Sequence, residues 1–256
     1  MTDLQANDNA PVLDARQVVA GHGGRPVLQG LDLQVRAGEI CALLGANGAG
    51  KTTTLSLFLG FVRPSAGEVR VAGIDPVRQP EAARRRVAYI PENVALYGHL
   101  TARENLAYLL ALAGQADRGD AIDSALRTAG LDAAAHGQRV GGFSKGMRQK
   151  VAIALAIARK VPALLLDEPG SGLDPQATAD FHQLLLRLRA QGVATLIVTH
   201  DLLGAADVAD RIGFLRAGRL DPPVAASGGE PRFDVAALHR RYALPDALDL
   251  VAGASA

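Results

Sequence analysis

The feature that most constrains this chain is the octapeptide GANGAGKT at residues 45–52, which matches the pattern G-x-x-x-x-G-K-[ST]. It follows an apolar run, Ile40–Leu44, that predicts a buried strand, and it leads into Lys51–Leu59, which predicts a helix. Backbone N–H groups are free at a helix N-terminus, and glycines allow them to approach an anion closely. The octapeptide therefore predicts a phosphate-binding loop.

Two side chains of this loop have distinct predicted tasks. Lys51 would place a cation beside the β and γ phosphates of a nucleotide, and the hydroxyl of Thr52 would bind Mg²⁺. Lys51 is therefore expected to serve catalysis as well as binding. The residues of this segment expected to bind the nucleotide are Asn47, Gly48, Ala49, Gly50, Lys51, Thr52 and Thr53.

A second candidate site is the segment ALLLDE at residues 163–168, an apolar strand that ends in two carboxylates. The C-terminal end of a buried strand opens into the crevice where ligands of such sheets bind. Asp167 would hold Mg²⁺ through water, and Glu168 would polarise the attacking water as general base. Taken alone, the segment also fits a strand that leaves the core through a solvated acidic turn. Combined with the loop at residues 45–52, it favours nucleotide hydrolysis.

The predicted elements indicate an α/β fold. Alternating apolar and polar residues from Leu13 to Cys41 predict short antiparallel strands, and residues 93–160, rich in Ala and Leu at helical spacing, predict a helical subdomain. Strands then alternate with helices, which is typical of a parallel sheet covered on both faces. The further predicted strands are Val69–Ala72, Ala163–Leu166, Thr195–Val198 and Gly213–Leu215, and a helix is predicted over Ala177–Gln191.

Composition and the chain ends narrow the class of protein. The net charge is +1 over 256 residues, which favours neither nucleic acid nor an acidic membrane surface as a partner. The single cysteine, Cys41, lies in an apolar run and is expected to be a buried hydrophobe. Because no apolar run approaches about 18 residues and the N-terminus is polar, we expect a cytoplasmic chain.

The two ends of the chain have their own predicted structure. Residues 1–11 predict a disordered tail, residues 221–230 predict a linker, and Asp234–Tyr242 predicts a short helix.

Three further motifs point to a particular family. The segment GFSKGMRQ at residues 142–149 begins the helix before the acidic strand, PGSGLDP follows Glu168 at residues 169–175, and THD at residues 199–201 follows an apolar strand. In sequence and order they resemble the signature motif, the D-loop and the H-loop of the ATPase subunits of ABC transporters. The resemblance covers most of the chain, from about residue 13 to residue 220.

The resemblance implies a P-loop NTPase (RecA-like) α/β core at residues 12–220, with an N-terminal antiparallel β-subdomain and the helical subdomain 93–160 inserted into it. Residues 221–256 would form the linker and the short C-terminal helix. ATP and Mg²⁺ would bind between two ATPase domains in a head-to-tail homodimer or heterodimer. An integral membrane permease would supply the membrane spans, and the ATPase would lie on the inner face of the cytoplasmic membrane.

The resemblance also implies roles for individual residues. His200 would contact the γ-phosphate and orient the water and Glu168, so both residues are expected to be catalytic. Ser144 and Gly146 would meet a γ-phosphate across the dimer interface, although Ser144 also fits a plain helix N-cap. Asp174 would bind ATP at the dimer interface and help couple the two ATP sites.

Several positions depart from the family pattern. His22 stands where the family usually has an aromatic residue that stacks on adenine. His22 and Val27 are both expected to bind the nucleotide. The other interpretation of His22 is an exposed residue in a turn. Glu92 replaces the glutamine of the Q-loop, and its carboxylate is expected to bind Mg²⁺ or water. Lys145 and Met147 replace a glycine and the glutamine of the signature. The resulting form, S-x-G-M-x-x-[KR], resembles the ATPases of ABC-2-type exporters.

The sequence leaves other functions open. A soluble ABC ATPase that remodels a cytosolic complex usually carries two ATPase domains in one chain, whereas this chain has one. The ATPase of an importer commonly retains the Q-loop glutamine and the L-S-G-G-Q form. A small-molecule kinase would require an acceptor pocket and would not require Ser144 and His200 at these spacings. We therefore expect an exporter ATPase whose membrane contact lies near Tyr97, Gly98 and His99.

Overall fold

The computed structural model describes residues 10–115 and 119–243, except for the side chain of His22. The tail expected at residues 1–11 therefore lies almost wholly outside the described residues. The strands are β1 (Leu13–His22), β2 (Arg25–Val35), β3 (Ile40–Leu44), β4 (Ala66–Val71), β5 (Val87–Ile90), β6 (Ala163–Asp167), β7 (Ala194–Thr199), β8 (Arg211–Arg216), β9 (Arg219–Leu220) and β10 (Val224–Ala225). The helices are α1 (Lys51–Phe58), α2 (Pro80–Arg84), α3 (Ala102–Leu112), α4 (Gly119–Thr128), α5 (Lys145–Arg159), α6 (Pro175–Ala190), α7 (Leu202–Val208) and α8 (Val235–Tyr242).

A small antiparallel sheet forms from the N-terminal strands in the order β2-β1-β4. Alternate residues at the start of β1, Leu13 and Ala15, are buried in a core that also contains Phe58 of α1. The antiparallel pairing expected from Leu13 to Cys41 is confirmed as far as Val35. The next strand, β3, pairs in parallel with β7 and β8 instead and belongs to the larger sheet.

The larger sheet has the order β10-β8-β3-β7-β6-β5, and β3, β5, β6, β7 and β8 are parallel. Its central strands β3, β6 and β7 are buried and mostly apolar because both faces are covered. In β3, Ile40 and Ala42 face one core, while Cys41 and Leu43 face the other. Cys41 is thus the buried hydrophobe that was expected. The α/β fold predicted from the sequence is confirmed, and it brings the C-terminal ends of β3, β6 and β7 to the same edge.

The helical part of the chain packs α3 and α4 against α5. Helix α3 begins with a capping box, in which the Thr101 hydroxyl accepts from the Glu104 N–H and the Glu104 carboxylate accepts from the Thr101 N–H. Helix α5 begins at the signature motif, where the Ser144 hydroxyl accepts from the Met147 N–H at 3.3 Å. The start of α5 lies next to the loop that follows β6, since a Cβ on Gly146 would lie 3.5 Å from the Leu173 side chain.

Residues 221–230, predicted as a linker, include β10, which pairs antiparallel with β8. Beyond them, Phe233 and Leu238 are buried in the main core, and Tyr242 packs its ring 6.0 Å from that of Phe214. Residues 221–243 are thus part of the fold, because apolar residues within and beyond the Pro- and Gly-rich stretch pack against the core. No helix within residues 10–115 or 119–243 has the length and the apolar character that crossing a bilayer requires.

Candidate active site

The phosphate loop connects the end of β3 to the start of α1. Gly50, which precedes Lys51, has a φ of 110°, and a Cβ at this position would lie 2.7 Å from Cδ2 of Leu28. Glycine suits this position for two reasons: it adopts a positive φ without strain, and it has no Cβ that would clash with the Leu28 side chain. No side chain among the described residues caps α1, so its first N–H groups remain free to bind an anion.

The ammonium group of Lys51 is buried within this loop. It donates to the carbonyl oxygens of Gly45 at 2.6 Å and of Ala46 at 3.3 Å. These contacts hold the Lys51 side chain against the first residues of the loop, so that its positive charge lies within the loop. A phosphate group entering the loop would therefore meet both the N–H groups of α1 and a lysine already in position.

Across the cleft from this loop, β6 ends at Asp167, whose Oδ2 accepts a hydrogen bond of 3.1 Å from the Tyr89 hydroxyl. Burial raises the pKa of Asp167, and the neighbouring charges of Glu168 and Glu92 add to this, while the Tyr89 hydrogen bond opposes it. Burial, together with Asp167, raises the pKa of Tyr89 to about 12. Tyr89 thus remains a proton donor that orients the Asp167 carboxylate at neutral pH.

Glu168 follows in an unusual backbone conformation, with a φ of 46°, and its N–H donates to the Val198 carbonyl at 2.9 Å. Its Oε2 accepts from the Thr199 hydroxyl at 2.8 Å and from the His200 N–H at 3.2 Å. The Nδ1 atom of His200 lies 3.0 Å from the same oxygen. A left-handed non-glycine residue at such a point marks a conformation that the surroundings impose. The neighbouring strand thus holds the Glu168 carboxylate in one orientation.

The phosphate loop, Asp167 and Glu168 line one cleft of about 450 Å³. Most of the residues predicted for catalysis or for binding nucleotide or metal line it: Val27, Asn47, Gly48, Gly50, Lys51, Thr52, Thr53, Glu92, Asp167 and Glu168. Ala49 is buried beneath the loop. The cleft combines free N–H groups and a lysine with hydroxyl and carboxylate oxygens, a donor set that suits a triphosphate and a hard cation.

The donor set also indicates how a cation would be held. Among the described residues, no group of three or more His, Cys, Asp and Glu side chains forms a metal cage. Mg²⁺ commonly binds through one or two carboxylates together with phosphate oxygens and waters. Thr52 and Asp167, on opposite sides of the cleft, fit that pattern.

Other predicted residues lie outside the cleft. Ser144 and Gly146 are at the start of α5, and Asp174 caps α6 by accepting from the Ala177 N–H at 2.9 Å. The His200 side chain is exposed over 66% of its surface, and its Nδ1 atom lies against Glu168. The side chain of His22 is outside the described residues, so the structure does not place it.

The sequence matches the family described as ABC transporter over residues 28–171, which is more than half of the chain. The chain belongs to the ABC transporter ATP-binding family. One relative, the hemin import ATP-binding protein HmuV of Streptomyces coelicolor, is 40% identical over 218 residues, which cover 82% of this chain and 74% of the relative. Another, the Nod factor export ATP-binding protein I of Burkholderia orbicola, is 37% identical over 213 residues, which cover 82% and 69%.

Solved ABC ATPases have the same fold. One structure, described as a dimeric post-hydrolysis state of an ATP-binding cassette bound to ADP and Pi, superposes with a TM-score of 0.73 at 25% identity. The match covers 85% of this chain and 100% of that chain. Family and structure together show that this chain is an ATP-binding and ATP-hydrolysing ABC subunit. Because the relatives include both import and export proteins, they do not determine the direction of transport.

Sequence reasoning missed several residues that contact the predicted site of this ABC ATPase. Tyr89 and Thr199 hold Asp167 and Glu168, and the Ser171 hydroxyl donates to Oε1 of Glu92 at 2.9 Å. Lys145, at the start of α5, places its Nζ atom 3.8 Å from the same oxygen. Thr199, Ser171 and Lys145 lie inside the three motifs at residues 199–201, 169–175 and 142–149, which was the signal available in the sequence. Tyr89 had no such signal, because it lies 78 residues from Asp167.

Proposed function

We propose that Glu168 is the general base that activates water for ATP hydrolysis, with Lys51 and the α1 N–H groups binding the β and γ phosphates. The observation that carries this proposal is the fixed Glu168 carboxylate, which faces the phosphate loop across one cleft and accepts hydrogen bonds from Thr199 and His200. A general base must be oriented toward the proton that it removes. His200 is exposed beside Glu168, which suits a role in contacting the γ-phosphate and the water.

Mg²⁺ would be held by Thr52 and Asp167, with Glu92 as a further oxygen on the rim of the cleft. When bound, the ion neutralises charge on the phosphate oxygens. Tyr89 orients Asp167 for this role by donating to its Oδ2 atom. Val27 lines the cleft and is proposed to contact the nucleotide together with His22.

Ser144, Gly146 and Asp174 are proposed to act on the cleft of a second ATPase domain, in a homodimer or heterodimer. They lie outside the cleft of their own chain, at the starts of α5 and α6. The N-terminus of α5 begins a helix of 15 residues and has no acidic residue in its first turn, which suits an incoming phosphate. The similar cassette structure with bound ADP and Pi is itself described as dimeric, which supports this arrangement.

We further propose that the ATPase drives an exporter of the ABC-2 type through a separate membrane permease. The form of the signature, with Lys145 and Met147, and the Glu92 substitution support this direction. The chain would then lie at the inner face of the cytoplasmic membrane. In vesicles with the ATPase facing the medium, ATP-driven movement of compounds into the lumen would support export, and ATP-driven release from a loaded lumen would contradict it.

The proposed permease contact is an exposed aromatic cluster that consists of Tyr97, His99 and Tyr108. Tyr97 and Tyr108 are 45% and 43% exposed, with their rings packed edge to face 5.1 Å apart. The Asn105 side chain fixes the segment by accepting from the Tyr97 N–H at 2.8 Å. Tyr97→Ala is expected to reduce copurification of the permease, whereas Leu203→Ala, at an exposed apolar residue on α7, is expected not to.

The hydrolysis proposal is tested with Glu168→Gln, which preserves the shape of the side chain and removes its basicity. We expect the rate of Mg-ATP hydrolysis to fall by about 10²–10⁴-fold while ATP binding is retained. On a sizing column with ATP, the variant should accumulate as a dimer that the wild type forms only transiently. An unchanged rate would assign the base to another residue.

A further inference from the structure

Glu92 makes contacts that connect three separate segments of the chain. Its Oε1 accepts from the Ser171 hydroxyl at 2.9 Å and lies 3.8 Å from Nζ of Lys145. Ser171 belongs to the loop after β6, and its N–H donates to the Glu168 carbonyl at 3.1 Å. Lys145 is the first residue of α5. One carboxylate oxygen thus joins the loop after β5, the loop that contains Glu168 and the start of α5.

The position of Lys145 favours a negative charge nearby. A cation at a helix N-terminus opposes the helix dipole, and the first turn of α5 contains no acidic residue that would offset it. The Lys145 side chain extends toward the loop after β6, where a Cβ on Gly172 would lie 3.9 Å from Nζ. The partner that balances this lysine is therefore Glu92, on a different segment.

The charge of Glu92 also matters to the cleft. Glu92 lines it together with Asp167 and Glu168, so three carboxylates surround the space that faces Lys51. ATP brings several further negative charges to the same space. A carboxylate on the rim opposes ATP binding unless a nearby cation offsets its charge.

We propose that Lys145 and Ser171 are positioning residues for Glu92: they hold its carboxylate on the rim of the cleft and offset its charge, so that ATP binds beside it. The proposal rests on the proposed function, because it assigns ATP to this cleft. It accounts for two departures from the family pattern together, since Lys145 compensates for the charge that Glu92 introduces.

The test is a double-mutant cycle on the dissociation constant of a fluorescent ATP analogue with Mg²⁺. Lys145→Met should weaken binding by about two- to fivefold, the range expected for an exposed ion pair. Ser171→Ala should weaken it by less. In the Glu92→Gln background, the effect of Lys145→Met should disappear, because no charge remains to be offset.

A matched control comes from the same helix. Lys150 of α5 pairs with Asp180 at 3.2 Å, away from the cleft, so Lys150→Met should leave ATP-analogue binding unchanged. At about 1 M salt, where charges are screened beyond about 3 Å, the effect of Lys145→Met should shrink.

Two outcomes would overturn the proposal. The first is an effect of Lys145→Met that is equal with and without Glu92→Gln, which would mean that Lys145 acts on the nucleotide by another route. The second is no effect of Lys145→Met at low salt. This cycle measures ATP-analogue binding, whereas the hydrolysis rate of Glu168→Gln tests the general base. Failure of one proposal can therefore be distinguished from failure of the other.

Discussion

The two sides of the cleft are built in different ways. The phosphate-loop side consists mainly of backbone, with free N–H groups and glycines from one continuous segment, residues 45–52. The opposite side consists of carboxylates that other side chains hold in place: Asp167 by Tyr89, and Glu168 by Thr199. These partners come from β5 and β7, which are distant in sequence from β6. One side is therefore encoded locally, whereas the other exists only once the sheet has formed.

The two sides should also respond differently to mutagenesis. The loop side should be disrupted by changes that alter backbone geometry. The carboxylate side should be disrupted by changes that remove one hydrogen-bonding atom and leave the backbone intact. The following experiments separate these two kinds of sensitivity, in decreasing order of the change that we expect.

Gly50→Ala should abolish ATP binding and destabilise the fold by about 2–5 kcal/mol. The substitution combines a strained φ of 110° with a Cβ placed 2.7 Å from Leu28. The matched control is Gly48→Ala, where φ is 83° but a Cβ meets no atom of the described residues within 4 Å. Thermal unfolding and ATP-analogue binding should show the smaller loss for Gly48→Ala. Equal losses would mean that the contact with Leu28 is unimportant.

Thr199→Val should lower kcat by about 10- to 100-fold with little change in KM, because the Glu168 carboxylate loses a buried donor. On the same strand, the buried hydroxyl of Thr195 has no hydrogen-bond partner within the described part of the chain. Thr195→Val should therefore leave kcat unchanged and raise the free energy of unfolding by about 1 kcal/mol. A similar fall in kcat for both variants would show that β7 packing, not the hydrogen bond, controls the rate.

Tyr89→Phe should raise the Mg²⁺ concentration for half-maximal hydrolysis by about two- to tenfold. The variant removes the hydroxyl that donates to Asp167 and preserves the ring. Without this donor, the pKa of Asp167 should rise further, which weakens the carboxylate as an oxygen ligand. Tyr108→Phe, in the exposed aromatic cluster, is the control. Identical Mg²⁺ curves for wild type and Tyr89→Phe would contradict the role of this hydrogen bond.

The weakest effect that we expect concerns stability without nucleotide or Mg²⁺. Because the folded pKa of Asp167 is raised, its ionisation costs stability as pH rises from the unfolded to the folded pKa, and the full cost is present above the folded value. Asp167→Asn should therefore have a higher Tm than wild type at neutral pH, and the difference should shrink as pH falls below the unfolded pKa. A lower Tm at neutral pH would show that other contacts of the carboxylate dominate.

The elements predicted from local patterns were largely found. The strand at Ile40–Leu44 and the helix after the phosphate loop have the expected positions, because apolar periodicity and glycine placement act over a few residues. Short elements without such a pattern, such as α2 and α7, were missed. Residues 221–230 appeared to be a linker because Pro and Gly dominate their composition, yet Val224 and Ala225 complete the edge of a sheet.

The amino-acid sequence was enough to predict the chemistry: the phosphate loop, the two acidic residues at the end of the strand at residues 163–167 and the order of motifs indicate an ABC ATPase. The side chains that hold the reactive groups became visible only in the folded chain. Tyr89 contacts Asp167 and Ser171 contacts Glu92 across separations of 78 and 79 residues, and Lys145 reaches Glu92 from the start of α5. A loop at a helix start is a local arrangement of backbone, whereas these contacts depend on the pairing of distant strands and on where α5 packs.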